Sequence, residues 1–181
     1  MSLYFMGVEQ SLSDILKARE TRAEYQQYLL DNYRNTVVSY KLNIPGPVKY
    51  SPFIRKIFDE GLAVFTKKIG ESSIVSLFEK VIYKNSGPEY LAVFDISPYI
   101  IKGMAANIEE MHPLGRLYDF DVFAPQGRQI SREELGIGPR KCLLCDSNAF
   151  ECGRSRKHDI RDLISKIENM ALEYFNSYDK G

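Results

Sequence analysis

Twice in this chain a strand-like apolar run leads into a serine-proline pair and then into a helical stripe, and this repeated punctuation restricts the fold more than any other feature. In VVSYKLNI, Val38, Tyr40, Leu42 and Ile44 alternate with Ser39, Lys41 and Asn43, the period of a half-buried strand. Pro45, Gly46 and Pro47 end it in a rigid turn, and Ser51 with Pro52 supplies an N-cap and a first helical position. Ile54, Ile57, Phe58, Leu62 and Phe65 then form the buried stripe of a helix closed by Gly70. Strand patterns recur in FEKVIYK and YLAVFD across the turn NSGPE, after which Ser97 and Pro98 open a helix carrying Ile101, Met104, Ala105 and Ile108. A further strand spans 117–123. These elements predict an α/β (α+β) fold: a mixed β-sheet with packed helices, arranged β-α-β-β-α-β. Terminal helices flank it. One runs over 12–33, with Leu12, Ile15, Leu16, Tyr28 and Leu29 as its stripe and Ser11 or Ser13 as its cap; the other runs over 159–178, with Ile160, Leu163, Ile164, Ile167, Met170 and Tyr174.

The 181 residues are 44% hydrophobic, which suits one globular domain spanning 1–181 with a core of its own. Lysine plus arginine and aspartate plus glutamate both number 24, so the whole chain has no field to draw it onto nucleic acid or an anionic membrane. Any phosphate recognition is therefore local. Three cysteines, two of them spaced Cys-x-x-Cys, suit a reducing cytosol better than a disulfide framework. No apolar run approaches a membrane span, and the opening MSLYFMG lacks the charged flank and apolar core of a signal peptide. A cytoplasmic protein is expected.

The stretch HPLGRLYDFD carries the first chemistry. On the 117–123 strand, Tyr118, Phe120 and Val122 share one face, and Asp119 and Asp121 share the other. Residues two apart on a strand lie roughly 6 to 7 Å apart at the backbone, so the two carboxylates can lean onto a shared cation. Magnesium suits the pair, because it favours one or two carboxylates plus substrate phosphates. Arg116 can fork onto a phosphate, and Gly115 lets a ligand approach the backbone. The alternative is an amphipathic strand whose acids are merely solvated. Upstream, Arg19, Arg22 and Gln26 fall at helical spacing, a face for an anion or a plain solvated surface.

In CLLCDSNAFECGRSRKH, Cys142, Cys145, Cys152 and His158 supply enough ligands for a Cys3His zinc site, although the spacing matches the usual knuckle poorly. Positions 142, 145, 149 and 152 also make a helical stripe, so a packed helix face is the simpler reading. A redox or nucleophilic thiol is a third. Arg140, Lys141, Arg154, Arg156 and Lys157 surround the cysteines and form the best candidate surface for a phosphate or an acidic partner.

Taken together, HPLGRLYDFDV, the CLLC…C…H segment, NIPGPVK and LKARETRAEYQQYLL resemble the apo-citrate lyase phosphoribosyl-dephospho-CoA transferase family, in order, over about residues 8–176. The departure is the tail GRSRKH, more positive than in the family generally. The resemblance implies transfer of the prosthetic group from triphosphoribosyl-dephospho-CoA to a serine of the citrate lyase acyl-carrier subunit, with release of pyrophosphate. It also implies that Asp119 and Asp121 hold magnesium, that Arg116 steadies the pyrophosphate, and that Arg19, Arg22, Lys49 and Arg140 contact phosphates. His112 is then an acid or base, or else a structural residue before proline. For that transfer the protein itself offers no obvious nucleophile, as expected where the carrier serine attacks directly. Gly115 lies only four residues before Asp119, unlike the Gly-Ser arrangement of many nucleotidyltransferases, so shared chemistry does not bring that fold with it. Two competitors stay open: a zinc-stabilised basic module for RNA or an acidic protein, and the same transfer onto a malonate decarboxylase carrier.

Overall fold

The structure, a computed structural model, describes residues 6–178, and the first five residues of MSLYFMG lie outside them. The elements are α1 (Leu12–Tyr33), β1 (Thr36–Leu42), α2 (Pro52–Glu71), β2 (Ser76–Ile82), β3 (Glu89–Phe94), α3 (Pro98–Met111), β4 (Tyr118–Phe123), α4 (Ala149–Ser155) and α5 (Ile160–Tyr178). Single 3-10 turns cover Gly115–Leu117 and Glu133–Leu135. The sheet order is β2-β3-β1-β4 and every pairing is antiparallel. A β-α-β-β-α-β chain with β3 set between β1 and β2 is a split β-α-β, the ferredoxin-like arrangement.

The alternation read from the strands sorts into two layers. Val38, Tyr40, Ala92, Phe94, Phe120 and Val122 face α2, α3 and α5 and form the main core with Ile54, Phe58, Phe65, Ile101 and Ile167. Tyr40 stacks between Phe58 and Phe120 at ring separations of 4.7 and 4.2 Å. Gly61 permits this approach, since a Cβ there would lie 2.2 Å from the Tyr40 hydroxyl. The opposite sheet face buries Val37, Leu91 and Val93 against Leu29 and Leu30 of α1. The serine caps form as the pattern requires at Ser11, which makes a capping box with Asp14, and at Ser51, which accepts from the Ile54 amide. Ser97 makes no side-chain cap bond.

Three expectations need correction. Gly70 does not close α2, which runs through it to Glu71 and ends at Ser72, whose amide donates back to the last turn. The α1 stripe does not pack as drawn: Leu12, Leu16 and Tyr28 are exposed, because only the last turns of the helix lie over the sheet, through Tyr25, Leu29, Leu30 and Tyr33. The cysteine stripe is not a continuous helix face either. Residues 142–148 form a tight hairpin closed by the Lys141–Asn148 bridge and the Cys142 amide donating to Ser147 O at 2.8 Å. Asn148 then caps α4 through the Phe150 amide, so the helix begins only at Ala149.

Candidate functional site

Strand register assembles the site. β1 pairs with β4 so that Lys41 lies opposite Asp119 and Ser39 opposite Asp121. All four sit on the α1 side of the sheet, away from the aromatic core. Lys41 Nζ lies 2.6 Å from Oδ2 of Asp119 and 2.6 Å from Oδ2 of Asp121. Lys41 of the neighbouring strand thus bridges the two acids. Asp121 Oδ1 also accepts from Gln129 Nε2 at 2.6 Å, and Arg140 Nη2 stands 3.5 Å from Asp119 Oδ1. Burial pushes the Asp119 carboxyl up, but the Lys41 ammonium, its hydrogen bond and Arg140 outweigh that and hold it below the usual range. Burial opposes the charge on Lys41, yet Asp121 and Asp119 raise its pKa.

β4 is an edge strand; the Ile130 amide donates to its Val122 carbonyl at 2.8 Å, and α3 side chains satisfy the outer backbone groups of Phe120. The Phe120 amide donates to Glu109 Oε1 at 3.0 Å, and Lys102 Nζ donates to Phe120 O at 2.8 Å. Glu109 is itself buried, paired with Arg132 at 2.7 Å and Arg140 at 2.5 Å. The residue between the two acids is therefore pinned from behind, and Arg140 ties that network to Asp119. Removal from water pulls Lys102 below its ordinary pKa despite Glu109 nearby.

Beside the acids, a cleft of about 180 Å³ is lined by Ile15, Arg19 and Arg22 of α1, by Lys41 and Lys49, and by Glu89 and Asp119. Arg22 pairs with buried Glu89 at 2.6 Å, and Lys84 holds its other oxygen at 2.9 Å. Lys49 donates to Ile44 O at 2.5 Å; burial, reinforced by Arg19, lowers its pKa. Four cations thus border one small cleft in a chain with no net charge, a setting that fits phosphate oxygens.

The other candidate residues fall elsewhere. Gly115 packs against the end of α3, where a Cβ would lie 2.5 Å from the carbonyl oxygens of Ile108 and Glu109, so its smallness serves the fold and not a ligand. Arg116, its pKa lowered by burial and by Arg140, lines a separate cavity of about 860 Å³ with Cys142, Cys152 and His158. His112 packs on the aromatic side of β4. Its ring lies 5.2 Å from that of Tyr118, Nδ1 accepts from the Leu114 amide at 3.1 Å, and Nε2 is 3.2 Å from the Tyr174 hydroxyl. Lys141 is exposed and takes part in the hairpin bridge. The ligand atoms of Cys142, Cys145, Cys152 and His158 converge within 4.8 Å of one another.

Lys41, Gln129, Glu89, Lys102, Glu109 and Arg132 were not singled out by sequence. Only Lys41 carried a signal, its place on the polar side of an alternating strand. The donor chemistry of Asp119 and Asp121 fits a divalent ion such as magnesium, since two carboxylates already reach one cation; the ammonium would have to yield that place.

Fold and site together define an α+β protein that gathers a carboxylate pair and four bordering cations on one side of its sheet. A family model described as apo-citrate lyase phosphoribosyl-dephospho-CoA transferase matches residues 10–174, and the chain belongs to that family. A Streptococcus pyogenes serotype M3 protein named "Probable apo-citrate lyase phosphoribosyl-dephospho-CoA transferase" is 34% identical over 177 residues, covering 96% of this chain and 91% of that protein. An Escherichia coli O157:H7 protein named "Apo-citrate lyase phosphoribosyl-dephospho-CoA transferase" is 31% identical over 158 residues, 87% of this chain and 86% of that protein. Protein CitXG of Haemophilus influenzae is 34% identical over 168 residues, which are 93% of this chain and 36% of that longer protein. The family favours neither the RNA or acidic-protein module nor a malonate decarboxylase carrier. Among the described residues no helix is long and apolar enough to cross a membrane.

Proposed function

We propose that this protein transfers the phosphoribosyl-dephospho-CoA group from triphosphoribosyl-dephospho-CoA to a serine of the acyl-carrier subunit of apo-citrate lyase, in the cytoplasm. The observation that carries the reading is the pair Asp119 and Asp121, joined through Lys41 to a cleft bordered by Arg19, Arg22 and Lys49. The serine oxygen attacks the phosphorus next to the ribosyl group. The bond from that phosphorus to the departing pyrophosphate breaks, a phosphodiester forms, and the serine proton is removed. Such a transfer depends on alignment and on neutralising phosphate charge.

Arg19, Arg22 and Lys49 are assigned to the pyrophosphate end of the donor. Lys41 bridges from the acids to the phosphates. Asp119, the member of the pair that lines the cleft, is assigned the serine proton. A carboxylate held low by Lys41 is a weak base at rest; it gains basicity when the ammonium turns to phosphate oxygens. Magnesium, held by Asp119 and Asp121, would add positive charge against the triphosphate. Arg116 and His112 are left out of the reacting group, because they line another cavity and the other sheet face.

Intact-mass analysis of apo carrier subunit incubated with this protein, the donor and magnesium tests the reading. A mass gain equal to the phosphoribosyl-dephospho-CoA group, strongly slowed with Asp121→Asn, supports it. An unmodified carrier, with the protein folded and the donor intact, overturns it.

A further inference from the structure

We propose that Cys142, Cys145, Cys152 and His158 form a structural zinc site that holds the segment between β4 and α5 and, through it, Arg140. The four ligand atoms lie within 4.8 Å of one another. Around a tetrahedral zinc, with Zn–S about 2.3 Å and Zn–N about 2.0 Å, sulfur–nitrogen edges are roughly 3.5 Å and sulfur–sulfur edges roughly 3.8 Å. Cys145 Sγ lies 3.5 Å from Cys152 Sγ and 3.3 Å from His158 Nε2, so a shift of roughly a few tenths of an ångström brings these edges to the length zinc imposes. All three cysteines are free thiols.

The local chain is built for this convergence. The hairpin closed by Lys141 and Asn148 presents Cys142 and Cys145, the first turn of α4 presents Cys152, and the link to α5 presents His158. Arg156 takes a left-handed conformation at the end of α4, and this turns the chain back so that His158 reaches the thiols. The Leu144 amide points at Cys142 Sγ from 3.5 Å and Lys157 Nζ at Cys145 Sγ from 3.7 Å. Donors of this kind steady thiolate ligands from outside the metal shell. Four protein ligands close the coordination sphere, which makes the site structural and not hydrolytic.

What the segment lacks is as telling as what it has. From Ser131 to Ile160, Cys152 is the one buried residue. Apart from the Arg132 and Arg140 pairs with Glu109 and the half-buried Leu143, these thirty residues have little to offset the entropy of a fixed conformation, the circumstance in which small regions rely on a metal. Arg140 stands two residues before the first ligand and pairs with Glu109 at 2.5 Å and, at 3.5 Å, with Asp119. A metal at the cysteines therefore fixes a cation beside the acidic pair, and the site stands whether or not the transferase reading does.

The full chain, purified without chelators or a nickel column, should carry about one zinc by plasma mass spectrometry, and cobalt added after zinc removal should give the thiolate charge-transfer bands of a tetrahedral site. Cys142→Ser and His158→Ala should each lose at least half of the zinc, whereas His158→Cys, which restores four ligands, should keep it. Hydrogen exchange should speed up over 131–160 on zinc removal and stay unchanged in β1 and β3, a comparison that needs no activity and separates metal loss from global unfolding. Metal-free native protein with three thiols open to Ellman's reagent overturns the proposal. So does a mass two hydrogens lower, from a disulfide, or bound zinc that survives both Cys142→Ser and His158→Ala.

Discussion

The two sides of β4 are held by opposite physics. Tyr118, Phe120 and Val122 are 0%, 1% and 0% exposed and interlock with α2 and α3, so their geometry rests on apolar burial and close packing. Asp119 and Asp121 keep 30% and 23% of their side-chain surface in solvent and are held by ions and amides. Partly hydrated ion pairs add little to stability and rearrange at low cost. The strand thus has a rigid back and an adaptable front. A ligand can replace Lys41 as the partner of the acids without disturbing the core that positions them.

The largest effect should come from breaking the back. Phe120→Ala removes a ring that stacks on Tyr40 at 4.2 Å and packs at a tilt against Phe65 at 4.9 Å. The expected loss is about 3 to 5 kcal/mol, the range for a buried aromatic cut to alanine. Urea unfolding followed by circular dichroism measures it, and a loss under about 1 kcal/mol would show that the aromatic side is not the rigid one.

Breaking the front should separate activity from stability. Asp121→Asn keeps the shape and leaves Lys41 its contact with Asp119. Carrier modification should slow by about a hundredfold, typical when one preorganised electrostatic group is removed, while the urea midpoint stays within error of the parent. If activity and midpoint fell together, Asp121 would belong to the scaffold and the contrast would fail.

The same contrast explains what could be read from the sequence. The β-α-β-β-α-β order was legible because β1 and β4 alternate, β3 is a short apolar run bounded by turn residues, and each Ser-Pro pair starts a helical period, all of them local properties. That Asp119 and Asp121 share a face followed from the same alternation. Lys41 as their partner did not, because it lies 80 residues from Asp121 and meets it only through the β1–β4 register. Burial was similarly non-local: α1 has a stripe, but Leu12 and Leu16 extend past the sheet that would have covered them. Gly115 was read as room for a ligand when it is room for the end of α3, since a missing Cβ does not say what approaches it. The cysteines matched a helical period by coincidence of spacing, and the cap at Asn148 breaks that helix.

A smaller loss should follow from the turn that launches β4. Gly115→Ala places a Cβ against two backbone carbonyls that cannot swing aside. Strain of about 1 to 3 kcal/mol is expected, as for overpacking in a tight core. The urea midpoint should fall less than for Phe120→Ala, and residual activity per folded molecule should also drop, because the turn leads directly into Tyr118 and Asp119. Unchanged activity per folded molecule would mean that the front tolerates movement of the strand's start.

The smallest effect sharpens the comparison through pH. His112 lies on the dry side; burial lowers its pKa, and Glu60, 3.8 Å away, only partly restores it. In the unfolded chain the imidazole takes up a proton near pH 6.5, whereas in the folded protein it does so only at lower pH. Between those values the unfolded state binds more protons, so stability present above pH 6.5 declines as the solution is acidified. His112→Gln should remove that part of the slope in urea midpoint measured from pH 7 downward. The pH dependence of carrier modification per folded molecule should not change, because the imidazole faces Tyr118 and Tyr174 and not the acids. A shifted activity profile would place His112 in the reacting group and join the two sides of β4 that the structure keeps apart.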